Sequence, residues 1–237
     1  AVMLESKITN IVSFGCSWAY GDEIIDPVLA EQGISYSHRY NDVYRISNCY
    51  TGLVAEHYGY THQNLAFPGS SLQAMQWSLM WWLNNKTPIE IKESIILVGL
   101  TGEDRISWYD PNYETGNDDP WNNYLHSTWL DYAGPNVDRG WFDLRKHHIA
   151  MSSCDQLSQL NYETTVRMFD GVSARYDVPV IQFNTVATRT IANDTFYDLQ
   201  IRNSLPHNCY ASGGHPNENG HRIIAKKLIS TIDRYMK

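Results

Sequence analysis

The chain has 237 residues, 43% hydrophobic and 19% charged, which excludes a disordered protein and suits one α/β domain with a full core. A formal charge of −8 argues against nucleic acid as a partner, and no apolar stretch is long enough to span a bilayer. The four cysteines, Cys16, Cys49, Cys154 and Cys209, are too few and too scattered for a disulfide framework and read as free, mostly buried thiols.

In chain order, residues 7–14 predict a buried strand that ends at Gly15. Residues 48–58 predict a short helix with Leu53, Val54 and His57 on one face. Residues 60–67 predict a second strand, stopped by Pro68-Gly69. Ser70 or Ser71 then caps a helix to about Asn84, with Leu72, Met75, Leu79 and Trp82 at helical spacing. Ser94 to Leu100 is a continuous apolar run, as a strand covered on both faces requires. From 101 to about 150 the periodicity is lost. This segment reads as an irregular insertion dense in Trp and Tyr within a single domain over 1–237. Residues 153–176 predict a long helix with Leu157, Leu160, Thr164, Met168 and Val172 facing in. Pro179 to Val186 predicts a further core strand. Asn217 to about Tyr235 predicts a helix with Ile223, Ile224, Leu228 and Ile232 inward.

Strands alternating with helices imply βαβ units and a parallel sheet covered on both faces. Chemistry in such sheets sits at the carboxyl ends of the strands. That rule selects the loops Gly15–Gly21, Ala66–Ser70, Thr101–Arg105 and the one before the last predicted helix.

The first loop reads Gly15-Cys16-Ser17-Trp18-Ala19-Tyr20-Gly21-Asp22-Glu23. A serine directly after a buried strand, where a helix begins, is either a helix cap or a nucleophile. The last loop reads Gly213-Gly214-His215-Pro216-Asn217. A histidine there, beside a Gly-Gly turn and before a proline, is either a surface turn residue or a general base reaching into a cleft. Cys16 reads as structural, because the serine beside it takes the reactive position. His147-His148 and His221 fall in no metal-ligand spacing, and neither a metal nor another cofactor is expected.

Taken together, the two loops resemble those of the SGNH (GDSL-type) hydrolases. Gly15-Cys16-Ser17 with Gly21 resembles the family's first block. Asn64-Leu65-Ala66-Phe67-Pro68-Gly69-Ser70 resembles its glycine block. Ser212-Gly213-Gly214-His215-Pro216-Asn217 with Gly220-His221 resembles its last block. The blocks stand in family order over residues 11–224, and the first is similar to that of short phage members. The resemblance implies a flavodoxin-like three-layer α/β/α fold with a central parallel sheet. It also implies a serine esterase with Ser17 as nucleophile, His215 as base, and the N–H groups of Ser17 and Gly69 as an oxyanion hole.

Three positions depart from the pattern. Cys16 stands where the family has Asp, and Glu103 stands where it has an oxyanion-hole Asn; a carboxylate cannot donate there unless protonated. Ser212 stands where the family has the acid that orients the imidazole. Three readings stay open: a Ser17–His215 dyad oriented by Ser212 or a backbone carbonyl, a substitute acid (Asp198, Glu103 or Asp104), or a degenerate site that only binds. The expected substrate is an O-acetylated glycan, with Trp18, Trp108, Trp121, Trp129 and Trp141 as candidate cleft walls, since flat aromatic faces stack on sugars. The alternative is a weakened or inactive carbohydrate-binding or structural protein on the same fold. The N-terminal residues carry no signal-peptide pattern, so a cytoplasmic or phage-associated setting is expected; the oligomeric state is open.

Overall fold

The computed structural model describes residues 7–103, 105–109, 124–127, 155–187, 189 and 196–236. Trp121, Trp129, Trp141, Asp104 and His147-His148 lie outside the described residues, as do the side chains of Trp108 and Asp198.

Five parallel strands form the main sheet: β1 (Asn10–Phe14), β2 (Thr61–Asn64), β3 (Ser94–Leu100), β6 (Val180–Asn184) and β7 (Phe196–Gln200), in the order β2-β1-β3-β6-β7. Counted along the sheet this is the 2-1-3-4-5 order of flavodoxin-like folds. The chain reverses its direction of winding between β1 and β3, which pair from Asn10↔Ser94 to Phe14↔Val98. A crevice is expected at that point, on the carboxyl edge. Between β3 and β6 the structure holds a small antiparallel ribbon, β4 (Ile106–Tyr109) with β5 (Tyr124–Ser127), in a segment the sequence predicts to be irregular. Four-residue strands are too short for their alternation to stand out.

The residue alternation of the strands divides the core between two faces. Val12, Phe14, Ile96, Val98 and Leu100 point to one face. There they pack against α5 (Leu72–Asn84), α6 (Pro88–Lys92) and α7 (Asp155–Tyr176). Phe14 sits edge-on to both Trp82 and Phe169, joining sheet, α5 and α7 in one aromatic cluster. Ile11, Ile95, Leu97, Ile181 and Phe183 point to the other face, against α4 (Tyr50–Tyr58) and α9 (Glu218–Tyr235). The result is a three-layer α/β/α arrangement.

Two helix faces differ from the sequence reading. The inward stripe of α7 is Tyr162, Val166, Phe169 and Val172, while Leu157 and Leu160 are 41% and 60% exposed. Tyr162 turns the helix: its hydroxyl shares its one proton between Asn184 Oδ1 at 2.9 Å and the Arg189 carbonyl at 2.8 Å. On α4 the buried residues are Tyr50, Thr51, Gly52, Val54 and Ala55, and His57 is exposed. His221 of α9 is fully buried and caps α4: its Nδ1 accepts the Tyr50 N–H at 3.0 Å, and its ring stacks on Tyr50. Burial pushes its pKa down to about 3, so the ring is neutral and structural.

Candidate active site

The site is built where β1 ends. After Phe14 the chain passes through Gly15, where a side chain would meet Ala19 Cβ at 2.7 Å and the Gly99 carbonyl at 3.1 Å. The absence of one lets the next turn close tightly over the end of β3. That turn is α1 (Ser17–Tyr20), a four-residue helix with Ser17 as its first residue. Cys16 precedes it, fully buried, with Sγ 3.8 Å from Thr185 Oγ1. The thiol thus faces the β6 end of the sheet, opposite in role to the serine beside it.

The chain leaves α1 through Gly21, at φ 86°, a left-handed conformation that favours glycine. Two residues later Glu23 also has a positive φ, 66°, which is uncommon for a side-chain-bearing residue and costs backbone energy. These two left-handed residues fold Asp22 and Glu23 back beside Ser17. The turn is held from below by Arg45 of α3 (Asp42–Asn48), which is 4% exposed. Its guanidinium donates to the Tyr20 carbonyl, pairs with Asp42 at 2.9 Å and lies over the Tyr20 ring. Asn64, at the end of β2, donates to the Ala19 carbonyl at 3.0 Å and fixes α1 from the other side.

His215 arrives from the loop between residues 209 and 217. The Ala211 N–H donates to the His215 carbonyl at 2.8 Å, and Asn217 caps α9 by accepting the Gly220 N–H. His215 Nε2 lies 2.9 Å from Ser17 Oγ. His215 Nδ1 lies 2.9 Å from Glu23 Oε2. Glu23 Oε1 also accepts the Gly213 N–H at 2.7 Å, and Oε2 the His215 N–H at 3.2 Å. Burial pushes the Glu23 carboxyl up, but the bonds from Gly213 and His215 outweigh it and hold the group below its ordinary value. Glu23 is therefore an ionised, acceptor-only partner. Nδ1 must carry the proton that it accepts, and Nε2 is left with a lone pair for the Ser17 hydroxyl. Glu23, His215 and Ser17 form a continuous acid–imidazole–hydroxyl chain, an arrangement that can draw a proton from the serine.

Among the described residues the group that meets His215 Nδ1 is Glu23, which is not among the acids drawn from sequence, and Asp104 and the Asp198 side chain lie outside those residues. Ser212 is exposed and makes no bond to the ring. Glu103 accepts the Arg189 N–H at 3.0 Å, tying the β3 loop to the β6 loop. Trp18 is 4% exposed and packs edge-on against Tyr210, so it belongs to the core and not to an open cleft wall. The sequence does carry a signal for Glu23: two carboxylates follow Gly21 in the serine's own loop, and the histidine block has none.

The glycine loop runs alongside. The Leu65 N–H donates to the Ser13 carbonyl and the Phe67 N–H to the Gly15 carbonyl, which brings Gly69 (φ 74°) to the same edge of the sheet. Among the described residues, neither the Ser17 N–H nor the Gly69 N–H has a hydrogen-bond acceptor. Arg105 Nη1 reaches the Ser70 carbonyl at 3.5 Å and braces this loop. Among the described residues, no three His, Cys, Asp or Glu side chains gather as a metal site, and no helix is long and apolar enough to cross a membrane.

No protein-family model matches the chain, and no curated protein sequence does. Solved structures do resemble it. One is a member of the lipolytic protein G-D-S-L family from Veillonella parvula, at 16% identity and a TM-score of 0.41, covering 95% of this chain and 99% of that one. Another is a carbohydrate esterase whose active site is described as having divergent catalytic and non-catalytic binding functions. It is 12% identical with a TM-score of 0.47, covering 98% of this chain and 67% of that one. Likenesses this distant leave the functional reading to the geometry above.

Proposed function

We propose that the protein is a serine esterase that works through Ser17, His215 and Glu23. The observation that carries this reading is the hydrogen-bonded chain Glu23–His215–Ser17, with two links of 2.9 Å. Ser17 Oγ attacks the ester carbonyl while His215 Nε2 takes its proton. Glu23 stabilises the imidazolium that forms. The N–H groups of Ser17 and Gly69, which have no acceptor among the described residues, receive the oxyanion, whose charge is worth most to stabilise in a water-poor site. His215 then gives its proton to the departing alkoxide. In the second half-reaction it activates the water that releases the acid and regenerates Ser17.

The competing view, a binding protein that lost its acid, drew its support from Ser212. Glu23 supplies the charge that Ser212 lacks. For the substrate, an O-acetylated glycan is favoured. Its support is the density of Trp, Tyr, Asp and Asn over 101–150 in the sequence, a composition suited to sugars rather than to acyl chains.

A fluorophosphonate probe should label Ser17 and nothing else, and a chromogenic acetate should be hydrolysed. Ser17→Ala should abolish labelling and lower kcat by about 10⁴-fold or more. Labelling on Cys16, or hydrolysis that survives Ser17→Ala, would reject the assignment.

A further inference from the structure

Beside the acid–imidazole–serine chain stands a second carboxylate that the mechanism does not use. Asp22 is 9% exposed, and its Oδ2 lies 3.9 Å from His215 Nε2, the ring atom that faces Ser17. Among the described residues, no group donates a hydrogen bond to this carboxylate. Among the described residues its only ion-pair distance is the long one to His215. Arg45, a buried cation, gives its ion pair to Asp42 and donates to the Tyr20 carbonyl. Burial raises the Asp22 pKa against the pull of His215 and Arg45, whereas the neighbouring Glu23, held by three hydrogen bonds, moves the other way.

Burying a carboxylate without hydrogen bonds is costly. A folded protein keeps such a group where something else completes it. The position indicates what that is. During acylation His215 Nε2 must come within hydrogen-bond reach of the leaving-group oxygen. An acceptor 3.9 Å from that same nitrogen stands next to whatever the leaving oxygen is attached to. The geometry points to Asp22 as the specificity-determining residue of the leaving-group side, an acceptor for a hydroxyl on the carbon adjacent to the esterified one. The substrate class is then the ester of a vicinal diol, as in a partly acylated polyol or sugar ring, in preference to the ester of a monohydric alcohol. Anionic leaving groups are disfavoured by the same charge. This inference rests on the esterase reading of Ser17, His215 and Glu23 and assigns one face of that site.

The test is a matched pair: cis-2-hydroxycyclohexyl acetate and its methyl ether, cis-2-methoxycyclohexyl acetate, with wild-type protein and Asp22→Asn. Wild type should prefer the free hydroxyl by about 10- to 100-fold in kcat/KM, the range for a hydrogen bond to a charged group. Asp22→Asn leaves only a neutral acceptor and should shrink that ratio severalfold. No wild-type preference overturns the proposal. A preference undiminished in Asp22→Asn overturns it too, because the hydroxyl is then held elsewhere. An equal loss on both esters with the ratio intact shows that Asp22 acts only through the His215 charge, and this also overturns it. Thermal melts establish that the variant is folded, and Asp22→Ser replaces it where it is not. A wild type that cleaves neither ester, fails on the chromogenic acetate and resists the fluorophosphonate removes the esterase reading itself. A wild type that cleaves the chromogenic acetate without preferring the diol ester removes only this proposal.

Discussion

The loop after β1 and the loop before α9 meet at the site but contribute unequally. The first supplies Ser17, Asp22 and Glu23 within seven residues, on a backbone bent by two left-handed residues and braced by Arg45 and Asn64. The second supplies a single ring, His215, together with two backbone N–H groups that point at Glu23. In the family pattern that the sequence resembles, the acid travels with the base. Here the carboxylate travels with Ser17, the proposed nucleophile. The loop that carries His215 therefore docks onto a preassembled pair, and the carboxylate reaches across to hold both its ring and its backbone. Geometric precision rests mostly on the first loop, and the second is a receptor for Glu23.

The harshest way to break this arrangement is at Glu23. Glu23→Gln keeps the shape but removes the charge and permits the wrong imidazole tautomer. It should lower kcat by up to about 10⁴-fold with a much smaller change in KM, the size of loss seen when a serine protease's triad acid is neutralised. Loss below about tenfold in steady-state kinetics would mean that another group orients His215. A milder break lies on the receptor side. At Gly213 a Cβ would sit 2.7–2.8 Å from the Glu23 carboxylate. Gly213→Ala should push the flexible Glu23 carboxylate off the ring, lowering kcat by roughly 10²-fold with little loss of stability. A crystal structure of the variant with the Glu23–His215 contact intact would count against that account. The smallest effect is expected at Ser212. Ser212→Asp restores the family's charge at a position that Glu23 has made redundant. Its kcat should stay within about threefold of wild type, and a clear rise would show that Glu23 leaves the imidazolium underprotected.

Much of the scaffold is legible in the sequence because its cause is local. β3 is apolar at every position because both its faces are covered, and α5 shows a clean stripe from Leu72 to Trp82. The face of α7 is harder to read, because Leu157 and Leu160 compete with the true stripe and a hydrogen bond from Tyr162 decides between them. The short helix α3 and the β4–β5 ribbon are too brief for periodicity to register. At the site, Ser17 and His215 are legible from their places after a strand and before a helix. The carboxylate pair after Gly21 is visible too, but singling out Glu23 depends on a positive φ and on the space at Gly213, which no residue pattern announces. The same space explains the Gly-Gly turn. It is occupied by a carboxylate from 190 residues away.

That separation has a consequence for a chain still being made on the ribosome. Ser17 and Glu23 emerge together, but the base that links them follows the serine by 198 residues. Until β3, β6 and α9 have assembled and the His215 loop has docked, the serine is an ordinary alcohol and Glu23 holds an idle charge. On the proposed chemistry, nascent or truncated chains are inert toward esters and toward fluorophosphonates. Appearance of the label during translation would time the moment at which the sheet closes.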